Sequence, residues 1–116
     1  MLVGRTPIGS GSAGNFPAAL RLSPDEKLLA ASGRGQNVIA LFAIGENGLL
    51  SRLTEVSCGG DGPRDIQFTP DGRYLLCANE RSDRLVAFAI EEGRLEFRSA
   101  VQIPAPACIL FTRQEA

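Results

Sequence analysis

A block of sequence occurs twice in this 116-residue chain and begins a third time. Pro17-Ala-Ala-Leu-Arg-Leu-Ser-Pro-Asp-Glu-Lys-Leu-Leu returns 46 residues on, opening at Pro63 and running through Thr69-Pro-Asp-Gly-Arg73. At that offset Pro17/Pro63, Pro24/Pro70, Asp25/Asp71, Leu29/Leu75, Phe42/Phe88, Ala43/Ala89 and Ile44/Ile90 are identical. Leu20/Ile66, Leu22/Phe68, Ser23/Thr69, Lys27/Arg73 and Asn37/Asp83 are conservative replacements. A third copy opens at Pro106, 43 residues after Pro63, with Ile109, Phe111 and Thr112 standing for Ile66, Phe68 and Thr69. A period in the mid-forties with about four short strands per repeat is the signature of β-propeller blades.

The strand pattern inside each repeat agrees. Leu20–Leu22, Leu28–Ala31 and Val38–Ile44 read as strands of the first copy, and Asp65–Phe68, Tyr74–Ala78 and Leu85–Ile90 as their counterparts. Proline at the second position makes Thr69-Pro70-Asp71-Gly72 a turn, and Ser82-Asp83 marks the next one, with no room for a helix at either. Glu46-Asn47-Gly48-Leu49 is a hairpin turn, because Asn-Gly accepts positive φ, and Glu91-Glu92-Gly93 turns the chain in the second copy. More polar outer strands follow at Leu49–Val56 and Leu95–Ile103. Pro104 and Pro106 end the last of these and lead to an inner strand at Cys108–Phe111.

The expected fold is all-β. Residues 1–16 are a flexible Gly/Ser-rich lead-in, 17–60 and 61–104 are two four-stranded blades, and 105–116 hold the closing inner strand and a tail. Propellers use roughly four to eight blades, so this is an incomplete propeller. Each blade hides its faces against its neighbours, and two blades leave two apolar faces open. The remaining blades, or other copies of the chain, are needed for closure.

Composition removes several classes of chemistry. There is no histidine, which excludes Ser-His-Asp and Cys-His catalysis and the usual zinc sites. No cofactor or metal site is expected. Twelve basic and thirteen acidic residues are interspersed, giving a net charge of −1 and no nucleic-acid footprint. No apolar run reaches the roughly 18 residues of a membrane helix. Cys58, Cys77 and Cys108 are widely spaced and read as buried free thiols of a cytoplasmic protein. Gly9-Ser-Gly11-Ser-Ala-Gly14 has the form of a dinucleotide fingerprint but lacks the strand before it and the helix after it, so it reads as a loop.

The repeat segments resemble the C-terminal part of the lactonase family of seven-bladed propellers, which includes 6-phosphogluconolactonase-like proteins. The residues that carry the resemblance are Ser23-Pro-Asp25, Ser32-Gly-Arg-Gly35, Gly62-Pro-Arg-Asp65, Pro70-Asp-Gly-Arg73, Ala78-Asn-Glu-Arg-Ser-Asp83 and Pro106-Ala-Cys-Ile-Leu-Phe111. The resemblance implies a funnel lined by inner-strand ends, where a small-molecule lactone is opened to a sugar acid. Arg34 falls on the arginine of an Asn-Arg-Gly step, implying an oxyanion-stabilising or anion-holding role. Glu80 is the weaker catalytic candidate, for activating water. Arg64 and Asp65 are implied to bind substrate. Two positions depart from the family: Gly33 stands in place of an asparagine, and Ala19 where many members carry glutamate. With these departures and no histidine, a binding or scaffold propeller without chemistry is the competing expectation, as is a fragment without independent activity.

Overall fold

The computed structural model describes residues 16–111. The Gly-rich motif and most of the lead-in, and the tail from Thr112, lie outside the described residues. Eight strands run in chain order: β1 Phe16–Leu22, β2 Leu28–Arg34, β3 Val38–Ile44, β4 Leu50–Ser57, β5 Pro63–Phe68, β6 Tyr74–Asn79, β7 Arg84–Glu91 and β8 Arg94–Gln102. They form two four-stranded antiparallel meanders, ordered β1-β2-β3-β4 and β5-β6-β7-β8.

The repeat in sequence is a repeat in structure, down to its irregularities. Each sheet has a bulge in its first strand, between Pro17 and Ala19 and between Pro63 and Asp65. Each has a second bulge between its third and fourth strands, at Leu41/Phe42 and at Ala87/Phe88. The first turn is likewise built twice. Asp25 Oδ1 accepts from Ser23 Oγ at 2.6 Å and from Lys27 N–H at 3.0 Å. Asp71 Oδ1 accepts from Thr69 Oγ1 at 2.6 Å and from Arg73 N–H at 3.0 Å. Both carboxyls are held below the ordinary carboxylate value, first by that hydroxyl and then by that amide. These are turn residues.

Asn37 and Asp83 form a second matched pair. Both take left-handed backbone, with φ of 58° and 53°. Asn37 Oδ1 accepts from Gly62 N–H at 2.9 Å, and Asp83 Oδ1 from Ala105 N–H at 2.8 Å. Gly62 and Ala105 immediately precede Pro63 and Pro106, and both have positive φ. The third copy therefore begins with the same latch as the second. The expected strand over Cys108–Phe111 does not pair, however. Ile109 N–H goes to the side chain of Asp65 instead of a backbone carbonyl, so no ladder starts there.

One departure comes from local chemistry. Glu80–Ser82 forms a single 3₁₀ turn where the sequence marks a turn at Ser82-Asp83 and no room for a helix. Glu80 and Arg81 donate their amides to the carbonyls of Gly62 and Asp61, and Ser82 Oγ accepts from Asp61 N–H at 3.0 Å. The turn is thus tied to the entry of its own β5.

The sheets meet chiefly along β1 and β2 against β5. Ala30, Ile39 and Leu41 of the first sheet and Ile66, Phe68, Leu75, Cys77, Val86 and Phe88 of the second make one buried cluster. Cys58 and Cys77 are buried in it as free thiols, as expected. A hydrogen bond with Cys58, reinforced by burial, pushes the Cys77 thiol far above its ordinary range. Cys108 is exposed, correcting the expectation for that residue. Ala31, Ala40 and Phe42 point to the opposite face of the first sheet, where Leu29 and Leu50 join them.

Candidate functional site

An open hollow of about 620 Å³ lies along the inner edge of the two sheets, between β1, the start of β5 and the segment after β8. Ala18, Ala19, Leu20 and Arg21 come from β1, Arg34 from the last position of β2, Arg64 and Asp65 from β5, and Ala107 and Cys108 from the final segment. Three of the four sequence candidates, Arg34, Arg64 and Asp65, therefore share one concavity. The fourth, Glu80, is not in its wall but is tied to it: Arg64 Nη1 donates to Glu80 Oε2 at 2.8 Å.

The repeat explains why two candidates fall where they do. Arg34 and Glu80 stand at the same position of successive repeats, Arg34 as the last residue of β2 and Glu80 directly after β6. The first-strand bulges set the side-chain alternation of β1 and β5, with Leu20 and Leu22 on one face of β1 and Arg21 on the other.

Arg21 was not singled out by the sequence. Its Nη2 donates to Asp65 Oδ1 at 2.8 Å and its Nη1 to its own neighbour, the Leu20 carbonyl, at 3.1 Å. Its buried Nε has no hydrogen-bond partner in the structure. The available signal was a charge inside a strand expected to be packed, flanked by two leucines. Asp65 is buried, and its Oδ2 accepts from Ile109 N–H at 2.7 Å.

The electrostatics of the hollow are unequal. Arg21 is paired with Asp65 and Arg64 with Glu80. Arg34 is exposed, and its side chain has no hydrogen bond or ion pair among the described residues. One uncompensated guanidinium thus remains on the rim, suited to a carboxylate, a phosphate or a developing oxyanion. Ala19, in the wall, offers no carboxylate. No group of three or more His, Cys, Asp or Glu side chains gathers among the described residues in a way that could hold a metal ion. No helix among them is long and apolar enough to cross a membrane.

Two twisted four-stranded meanders, packed face to face around a shared inner edge, are blades of a β-propeller. The chain matches the family described as lactonase, 7-bladed beta-propeller, over residues 5–111, and it belongs to that family. Among curated proteins it is 34% identical over 101 residues to a 6-phosphogluconolactonase of Bacillus subtilis, an alignment covering 84% of this chain and 29% of that protein. A 6-phosphogluconolactonase of Formosa agariphila is 38% identical over 84 residues, covering 68% and 24%. Among solved structures, a periplasmic gluconolactonase of Pseudomonas aeruginosa superposes with a TM-score of 0.81 at 31% identity, covering 88% of this chain and 30% of that one. A putative 6-phosphogluconolactonase of Bacteroides uniformis gives 0.77 at 36% identity, covering 83% and 29%. The chain spans about three-tenths of the length of these relatives.

Proposed function

We propose that this chain supplies part of the funnel of a propeller that hydrolyses a sugar lactone such as 6-phosphogluconolactone. The rest of the ring would come from further blades, in one polypeptide or from other copies. The observation that carries the reading is Arg34, the cation of the hollow left without a partner among the described residues. In this scheme water attacks the lactone carbonyl carbon and Glu80 takes the water proton. Arg34 stabilises the oxyanion, or holds the phosphate of the substrate. The ring C–O bond then breaks and the leaving alkoxide receives the proton from Glu80. Arg64, which holds Glu80 at 2.8 Å, keeps that carboxylate beside the hollow. The free thiols Cys58 and Cys77 support a cytoplasmic setting.

The test is hydrolysis by the complete propeller. Arg34→Ala is expected to lower kcat/KM for 6-phosphogluconolactone on the order of a hundredfold, the usual cost of removing one oxyanion donor. An equal loss on unphosphorylated gluconolactone would assign Arg34 to the oxyanion, and a loss confined to the phosphorylated substrate would assign it to the phosphate. A change below about threefold on both would remove Arg34 from the mechanism. The second reading, binding without turnover, is favoured by Ala19 in the wall. Lactone bound by the wild-type propeller but never opened would establish it.

A further inference from the structure

Three inner segments of the molecule meet at one carboxylate. Asp65 stands just past the bulge of β5 and is buried. Its Oδ1 is taken by Arg21 of β1 and its Oδ2 by the Ile109 amide of the last segment, at 2.8 and 2.7 Å. Charge-assisted bonds of this length are the strong kind, and a buried carboxylate is tolerable only when so engaged. The residues on either side of the clamp are the hollow's own walls: Ala18–Arg21 on one flank, Ala107 and Cys108 on the other. One repeat earlier the same position is Ala19, so the first sheet has no equivalent device.

We propose that Asp65 is a positioning residue and not a substrate ligand. It couples the Arg21 guanidinium to the seating of residues 106–111, and thereby fixes the width of the hollow. Both oxygens are committed within the protein, which leaves Arg34 and Arg64 as the groups that face a ligand. Asp65 therefore acts on the ligand only through the walls it holds in place.

Amide hydrogen exchange on the full chain, read residue by residue by NMR, tests the clamp without reference to any activity. The Ile109 amide should exchange slowly in the wild type and at least tenfold faster in Asp65→Ala, with Asp65→Asn, which keeps a neutral acceptor, in between. Arg21→Met touches neither Ile109 nor its acceptor oxygen, yet should also speed Ile109 exchange severalfold by freeing the carboxylate. Amides of Leu75, Cys77 and Val86 report whether a variant has opened globally. If Asp65→Ala does so, Arg21→Met decides the matter. Ile109 exchange unchanged in Arg21→Met, or unprotected in the wild type, would overturn the coupling. A second arm rests on the lactone reading. In the complete propeller Asp65→Asn should raise KM severalfold with kcat within about twofold. A hundredfold fall in kcat at constant KM would make Asp65 catalytic and overturn its positioning role. Failure of the wild type to open any lactone would defeat the lactone reading and leave the exchange result standing.

Discussion

Leu20 and Ile66 occupy the same place in the two sheets, yet Leu20 is 59% exposed and Ile66 0%. Leu22 and Phe68, one alternation further, are 52% and 3% exposed. The second sheet hides these residues because the first lies on them, and nothing described lies on the Leu20 and Leu22 face of the first. The opposite faces show the converse. Ala30, Ile39 and Leu41 are fully buried, while their counterparts Leu76, Leu85 and Ala87 are only half-buried. The same residue pattern makes the same sheet twice, and burial is set by the neighbour. Each sheet is a module with two apolar faces, and the pair leaves one of each kind open.

The largest expected effect breaks or confirms this asymmetry directly. Ile66→Ala should cost about 2–5 kcal/mol in denaturant unfolding, as buried large-to-small changes do. Leu20→Ala in the same chain, at a dilution that keeps it monomeric, should cost less than about 1 kcal/mol. Equal costs would mean that β1 is covered in solution. Next in size is Asn79→Ala. The fully buried Asn79 Nδ2 donates to the Cys58 carbonyl at 2.9 Å across the join between the sheets. Stranding that carbonyl should cost about 1–3 kcal/mol. The equivalent position of the first sheet is Gly33, which has no such donor, so a loss of this size would locate one bond that holds the two modules together.

Smaller effects sharpen the comparison of turns. Glu26 has φ 62° where Gly72 has φ 73°. Left-handed backbone is costly with a side chain, so Glu26→Gly should gain about 0.5–1 kcal/mol and Gly72→Ala should lose about 1 kcal/mol, read as shifts in the unfolding midpoint. The acid limb tests the turns together. The Asp25 and Asp71 carboxyls lie below the ordinary value of 3.8 in the folded chain. Their contribution is therefore fully present above pH 3.8 and is lost as pH falls through the lower folded value. Asp25→Asn combined with Asp71→Asn should flatten stability against pH in that acid window and leave the curve near neutrality unchanged in shape. An undiminished slope would show that the turn carboxyls do not set it. The smallest effect belongs to the Arg64–Glu80 pair, which is largely solvent-exposed. Glu80→Gln should change stability by less than about 0.5 kcal/mol.

What was legible in the sequence follows the range over which each feature is encoded. The turns at Pro24-Asp25 and Pro70-Asp71 are local, and their chemistry was readable from four residues. The blades were readable because Pro17, Pro63 and Pro106 repeat the same pattern at a fixed spacing. Arg34, Arg64, Asp65 and Glu80 were legible as candidates only through resemblance. The Arg21–Asp65–Ile109 clamp was not legible, since it joins three segments across the packed faces, with partners 44 residues apart on each side. No periodicity announces a pairing that occurs once. Nor could the exposure of Cys108 be read, because it depends on what lies beside the last segment and not on its own neighbours in sequence.

Sedimentation velocity of the 116-residue chain puts the open faces to the most direct test. Two uncovered apolar faces should drive the chain into larger species, and alanine at Leu20 and Leu22 together should shift the distribution toward the single chain. A wild-type chain that stays monomeric at tens of micromolar and unfolds cooperatively would contradict it.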